Sequence, residues 1–112
     1  MPKKERRIFT RVNANLLVSY REENSAPTPA GFVRALNLSE RGMLLETPDV
    51  FSPGQTLSFD ILLDFNHVAQ VEGQIVWYKH QDQGLNRVGI EFPNLSRAQK
   101  KLIADQVAKY IG

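Results

Sequence analysis

The sequence contains a series of short segments in which apolar and polar residues alternate, and residues that favour turns separate them. An alternation of period two is typical of β-strands that bury one face. Only the last part of the chain changes period, because apolar residues after Pro93 recur at the spacing of an amphipathic helix. The chain must therefore bury strands against one another, with a single helix to cover them.

The alternation predicts six strands, at 12–21, 30–38, 43–47, 56–64, 68–79 and 85–92. The fold class we predict is mainly β, a six-stranded antiparallel β-barrel with a C-terminal α-helix. Gly73, inside the fifth segment, indicates a bulge or a bend. Trp77 continues the alternation of Val71 and Ile75, and we interpret it as an anchor of the core.

A capping box predicts the start of the helix. The hydroxyl of Ser96 and the amide of Gln99 can satisfy free N–H groups at a helix N-terminus, so we predict a helix over 96–111. Its apolar face contains Ile103, Val107, Tyr110 and Ile111. This face can pack on its own barrel or on a second copy, which leaves a monomer and a homodimer both open.

Length and composition limit the function classes. The 112 residues predict one domain, a barrel over 12–112 preceded by a flexible basic leader at 1–11. No apolar run is long enough for a membrane span, and none follows the N-terminus as in a secretory signal. There is no cysteine, which excludes disulfides and thiolate chemistry. We expect a cytoplasmic protein.

Positive charge is concentrated in the leader. The formal net charge is +2, but residues 1–20 carry five basic groups and one acidic group, or +4, which leaves −2 for the rest. The barrel is therefore not expected to bind a nucleic acid polymer. Arg6, Arg7 and Arg11 lie in the leader, and an arginine fork matches a phosphate or the O6/N7 edge of guanine. A solvated basic tail is the alternative.

The second polar segment, 37–42, lies at a turn between two predicted strands. Asn37 and Ser39 supply an amide and a hydroxyl there. Gly42 permits either a positive φ or the close approach of another group. Ordinary turn chemistry, in which Asn and Ser side chains bond nearby N–H groups, is the alternative.

Enzymatic chemistry has little support. His67 and His80 are the only histidines and form no metal-ligand cluster in the sequence. Asp60 and Asp64 lie on the polar face of one predicted strand without a paired acid or base. No nucleophile elbow or phosphate-binding loop with lysine is present. We expect neither catalysis nor a metal.

An Arg-x-x-x-Arg box (Arg7, Arg11) followed by an Asn-x-Ser-x-x-Gly box (Asn37, Ser39, Gly42) resembles the PilZ domain family. The segment from Val88 to Phe92 is similar to that family's last strand. The resemblance implies a bacterial receptor for cyclic di-GMP. It implies that Arg7 and Arg11 grip guanine edges and phosphates, that Asn37 and Ser39 bond a guanine, and that Gly42 lets the ring lie close. Arg6 would add donors for a second, stacked nucleotide.

The resulting hypothesis is a receptor that changes its surface on binding. The ligand would order the leader over the barrel, and a protein partner in motility, biofilm or polysaccharide control would respond. One or two nucleotides per chain both remain open. The alternative is a PilZ-like adaptor that binds only protein and shows no selectivity for guanine.

Overall fold

The structure is a computed structural model that describes residues 11–22 and 32–111. Six antiparallel strands form a closed barrel in the order β1-β2-β3-β6-β5-β4. One helix follows, which confirms the predicted fold class. The strands are β1 (Val12–Glu22), β2 (Val33–Ser39), β3 (Gly42–Thr47), β4 (Thr56–Asp64), β5 (His67–His80) and β6 (Asn86–Glu91), and the helix is α1 (Arg97–Ile111). No helix among these residues is long and apolar enough to cross a membrane.

Apolar side chains at every second strand position fill the barrel core. In β4 every second residue is apolar and buried, from Leu57 through Phe59 and Ile61 to Leu63. Phe59 is fully buried, and its ring meets Tyr20 at 6.2 Å between centroids. Burial of one apolar face of the strand stabilises the barrel. Closure of the sheet also leaves no strand edge unpaired.

Two bulges change the side of the barrel that a residue faces. Leu36 is an extra residue in β2 opposite β3, because Ala35 pairs with Leu45 and Asn37 with Leu44. Val76 is an extra residue in β5 opposite β6. A bulge shifts the alternation by one residue, so the residue after it points to the other face. The bulge at Val76 therefore turns Trp77 out of the barrel.

Two sequence predictions are corrected here. Trp77 is 45% exposed, so it is not a core anchor. Gly73 pairs regularly with Leu57, and the bulge of β5 lies further along the strand. A Cβ at Gly73 would lie 2.7 Å from both the Phe59 ring and the Ile90 side chain, so this glycine makes room for core packing instead.

Helix α1 begins as the capping box predicts. The Gln99 N–H donates to Ser96 Oγ at 3.1 Å, and the Ser96 N–H donates to Gln99 Oε1 at 2.7 Å. Ile103 and Val107 are buried against the barrel. The predicted apolar face is wrong at its end, because Tyr110 and Ile111 are 44% and 64% exposed. The helix therefore packs on its own barrel through its middle turns.

Both histidines have polar partners. His67 contacts Asp64 through Nδ1 at 2.8 Å, and Lys109 donates to the same carboxylate at 3.2 Å. The contact with His67, followed by the Asn66 N–H, holds the pKa of Asp64 well below its usual range. His80 Nδ1 lies 2.7 Å from the amide oxygen of Asn86. These contacts hold the β4–β5 turn and the β5–β6 connection in place.

Candidate functional site

A row of residues in register crosses five strands on the outside of the barrel. Asn13 of β1 pairs with Asn37 of β2, which pairs with Leu44 of β3. Leu44 pairs with Gly89 of β6, and Gly89 pairs with Trp77 of β5. Neighbouring strands lie about 4.8 Å apart, so three spacings separate Asn37 from Trp77, or about 14 Å. One end of this row is polar, with the two asparagines, and the other end is aromatic, with Trp77. Between them lie Leu44 and Gly89, and the glycine has no side chain to raise the surface.

A cleft of about 280 Å³ lies along this row. Its described lining combines cations, one amide, one carboxylate and an apolar floor: Arg11, Asn37, Arg41, Met43, Leu44, Val76, Trp77, Gly89, Ile90 and Glu91. A flat floor with an aromatic wall and guanidinium groups is complementary to a planar, anionic molecule.

The two polar segments of the sequence meet in this cleft. Arg11 Nη1 donates to Asn37 Oδ1 at 2.5 Å, although the residues are 26 positions apart in the chain. The bulge at Leu36 makes the contact possible, because it puts Asn37 on the outer surface while Leu38 is buried. The end of the arginine box thus lies beside the start of the second box.

Ser39 shapes the turn from the inside. Only 2% of its surface is exposed. Its Oγ accepts from the N–H of Arg41 at 3.1 Å and from the N–H of Gly42 at 3.3 Å. This is the turn chemistry that the sequence offered as an alternative. A direct bond from Ser39 to a guanine remains a prediction.

Gly42 is required by the neighbouring strand. A Cβ on Gly42 would collide with the backbone carbonyl of Ile90 and press on Cα of Glu91. Its φ is not positive. Of the two reasons proposed for this glycine, the structure therefore supports close approach, here of the β6 backbone. Whether a ligand ring also lies against it remains a prediction.

Trp77 is a candidate site residue that the sequence analysis missed. Its indole lies over Gly89, since a Cβ there would collide with the Nε1, Cε2 and Cδ1 atoms. A ring held flat against the sheet and 45% exposed can stack on another ring. The period-two pattern hid it, because nothing in the local sequence marks Val76 as the bulged residue.

A second depression adjoins the cleft. It has a volume of about 590 Å³ and shares Arg41 and Glu91 with the first. Its other side is formed by the chain that leads into α1, from Phe92 to Leu95, and by Lys100. The Phe92 N–H donates to the Arg41 carbonyl at 2.8 Å, which joins this segment to the turn.

Arg6 and Arg7, and with them nearly all of the predicted leader, lie outside the described residues. Their roles remain predictions. Among residues 11–22 and 32–111 no cluster of His, Cys, Asp or Glu is suited to a metal ion.

The chain is a single closed antiparallel barrel with one α-helix after its last strand and a cleft on its outer wall. The chain belongs to the PilZ domain family, whose model matches residues 5–109. This match confirms the resemblance drawn from the two boxes. No curated protein matches the sequence.

Solved structures share the fold. The inhibitor of motility MotI/DgrA of Bacillus subtilis has 18% identity and a TM-score of 0.71, over 94% of this chain and 51% of that one. Escherichia coli YcgR in complex with c-di-GMP has 16% identity and a TM-score of 0.73, over 93% and 45%. The PilZ domain of YcgR with c-di-GMP has 15% identity and a TM-score of 0.73, over 95% and 92%. The chain thus spans about half the length of the first two proteins.

Proposed function

We propose that this protein is a cytoplasmic receptor for cyclic di-GMP that signals by binding and not by catalysis. The observation that carries the proposal is the hydrogen bond between Arg11 and Asn37, because it brings the two family boxes together at one cleft. Membership of the PilZ family supports the choice of ligand. So does the fold shared with a YcgR domain solved with c-di-GMP.

The cleft offers complementary groups for each part of such a ligand. Arg7 and Arg11 supply guanidinium donors for phosphate oxygens and guanine edges. The indole of Trp77 provides a stacking surface, and stacking of a base on an aromatic side chain contributes about 1–3 kcal/mol. Asn37 offers its amide N–H groups, while Ser39 and Gly42 hold the turn in the required shape.

The dimensions of the cleft support ordering of the leader by the ligand. At about 280 Å³, the cleft is slightly smaller than the roughly 300–1,000 Å³ that is usual for small-molecule sites. A dinucleotide therefore needs a further wall. Arg11 immediately precedes β1 at the cleft, so the preceding residues, with Arg6 and Arg7, can supply that wall. The ordered leader would form a new surface for a protein partner.

Isothermal titration calorimetry with cyclic di-GMP tests the proposal, with GTP as the control ligand. We expect saturable heat that is selective for the cyclic dinucleotide and absent from an Arg7→Ala/Arg11→Ala protein. The matched control is Arg21→Ala/Arg34→Ala, which removes two exposed arginines of β1 and β2 outside the cleft. Equal loss in both double variants would mean that only net charge matters. A folded wild-type protein that gives no heat would exclude the receptor.

Two further measurements address the finer points. Hydrogen exchange of residues 1–11 should slow when the nucleotide binds, and identical exchange with and without ligand would exclude ordering of the leader. The ligand-to-protein ratio should fall in an Arg6→Ala protein if Arg6 holds a second nucleotide. An unchanged ratio would contradict that role.

The alternative function is an adaptor that binds only protein. The turn chemistry of Ser39 favours it, since a structural role alone explains that residue. It predicts a folded barrel without selectivity for guanine nucleotides, and the calorimetry above separates the two functions.

A further inference from the structure

The cleft has an unequal supply of hydrogen-bond donors and acceptors. Of the described residues that line it, only Asn37 and Glu91 have an oxygen acceptor in the side chain. The oxygen of Asn37 already accepts from Arg11 at 2.5 Å. The carboxylate of Glu91 is exposed, and it has no hydrogen bond or ion pair with a described residue. Among the described residues that line the cleft, Glu91 is thus the one side-chain oxygen acceptor without a partner.

The position of Glu91 fits the edge of a stacked base. Glu91 and Gly89 are two residues apart in β6, so their side-chain positions lie on the same face, about 7 Å apart. The Trp77 indole covers Gly89. A purine stacked on the indole can direct one edge along β6 towards Glu91. Half the width of a purine and one hydrogen bond of about 2.9 Å together span the distance from the position of Gly89 to that of Glu91.

Resting on the proposed function, we infer that Glu91 determines selectivity for guanine. Guanine presents two adjacent donors on its Watson–Crick edge, N1–H and the N2 amine, and a carboxylate accepts from both at once. Adenine presents an acceptor at N1, which an ionised carboxylate repels. The residue therefore favours a guanine ligand and also opposes an adenine one.

The carboxylate does not prevent binding of an anion, because cations line the same cleft and the depression beside it. Arg11 and Arg41 line the same cleft, and Arg41 also lines the adjoining depression with Lys100. The phosphates of a cyclic dinucleotide can lie towards these cations while a base edge meets Glu91. The Watson–Crick edge of the base and the phosphates are thereby assigned to different side chains.

A comparison of two ligands and three proteins tests the inference. The ligands are cyclic di-GMP and its inosine analogue, which lacks only the N2 amine, and calorimetry gives the affinity ratio. In the wild type we expect a preference for cyclic di-GMP on the order of tenfold to a hundredfold, the effect of one hydrogen bond to a charged group. Glu91→Gln should reduce the ratio to about twofold or less, because the amide cannot accept from both donors.

The matched control is Glu22→Gln, which removes the same charge at the exposed end of β1 outside the cleft. It should keep the wild-type ratio. Glu91→Ala, which leaves no acceptor, should behave like Glu91→Gln, and circular dichroism verifies that both are folded.

The outcomes are distinct. A wild-type ratio in Glu91→Gln would overturn the role of Glu91 and leave the receptor intact. Tighter binding of both ligands by Glu91→Gln at an unchanged ratio would show that the carboxylate only repels phosphate, and this would also overturn it. Failure of the wild type to bind either ligand would overturn the receptor and the inference together.

Discussion

Two sides of the same barrel use the period-two pattern differently. On the packed side, β4 alternates without interruption from Leu57 to Leu63, and every apolar residue of that series is buried. On the cleft side, β2 and β5 each contain an extra residue opposite their neighbour, Leu36 and Val76. The irregularity of β4 against β5 lies at the end of the strand, between Leu62 and Asp64, so the alternation up to Leu63 is kept. The bulges of β2 and β5 instead put Asn37 and Trp77 on the outer surface.

The comparison shows how a small barrel can form an outer cleft, the candidate site, without opening its core. Each bulge reverses the direction of the next side chain, while the residues further along still pack inside. Leu38, one residue beyond Asn37, is fully buried. The site therefore lies on the outside of a barrel whose interior stays filled.

The largest expected difference in stability is between two single-residue deletions, one in β4 on the packed side and one in β5 on the cleft side. Deletion of Asp60 reverses the facing of one half of β4 relative to the other, so we expect no folded protein. Deletion of Val76 removes only the extra residue of the bulge and leaves Trp77 opposite Gly89, at a cost of about 1–2 kcal/mol. Urea unfolding of both proteins measures the difference. Equal losses would contradict this account of the bulge.

A pair of aromatic truncations gives the next effect. Phe59→Ala should lower the free energy of unfolding by about 3–5 kcal/mol, because a buried ring leaves a cavity. Trp77→Ala should cost about 1 kcal/mol or less and weaken cyclic di-GMP binding by about 1–3 kcal/mol through lost stacking. Denaturation and calorimetry on the same samples measure both quantities. A Trp77→Ala protein with wild-type affinity would remove the indole from the site.

Two glycine substitutions sharpen the comparison. Gly42→Ala meets backbone atoms of β6 that cannot move independently, so we expect a loss of about 3 kcal/mol in unfolding free energy. Gly73→Ala meets ring atoms of Phe59 and Cγ2 of Ile90, which are side-chain atoms and can yield further than backbone, so a smaller loss of about 1–2 kcal/mol is expected. Chemical denaturation measures the unfolding free energy of both variants. A larger loss for Gly73→Ala than for Gly42→Ala would be inconsistent with the close approach of β3 and β6.

The smallest effect is a dependence on alkaline pH at the packed side. The Tyr20 hydroxyl donates to Asp49, and burial followed by that carboxylate raises the pKa of Tyr20. The folded state therefore keeps a proton that the unfolded chain loses above about pH 10, so unfolding free energy falls as pH rises from there. Tyr20→Phe should cost about 1 kcal/mol below that pH.

Thermal or urea unfolding between pH 8 and pH 11 measures the effect of Tyr20. The Tyr20→Phe protein should show a weaker alkaline decline than the wild type. Parallel curves would mean that Tyr20 does not cause the decline.

Much of the fold was predictable because burial of strand faces leaves a local record. The predicted start of the second strand, residue 30, lies outside the described residues, and the other strand bounds agree with the structure to within one residue. The Ser96–Gln99 capping box marks the start of the helix within one. The exposed Tyr110 and Ile111 were not predictable. Their helical spacing is correct, but whether the barrel extends beneath the last turn depends on the whole fold.

The candidate site was predictable in part. The two boxes identified Arg11, Asn37, Ser39 and Gly42, and the structure places all four at or beside one cleft. Trp77 and Glu91 were missed as site residues, because both join the cleft through pairing with strands distant in the chain. Arg6 and Arg7 remain predictions from the motif.

By itself, the sequence determined the strand content, the capped helix, the family and the concentration of charge in the leader. Hydrophobic periodicity, capping and charge depend on residues that are close along the chain. Only the tertiary structure decided which residues face outward at the bulges, that Gly42 makes room for β6, and that Arg11 reaches Asn37. A bulge is defined by the register between two strands, and a register depends on the partner strand as much as on the strand itself.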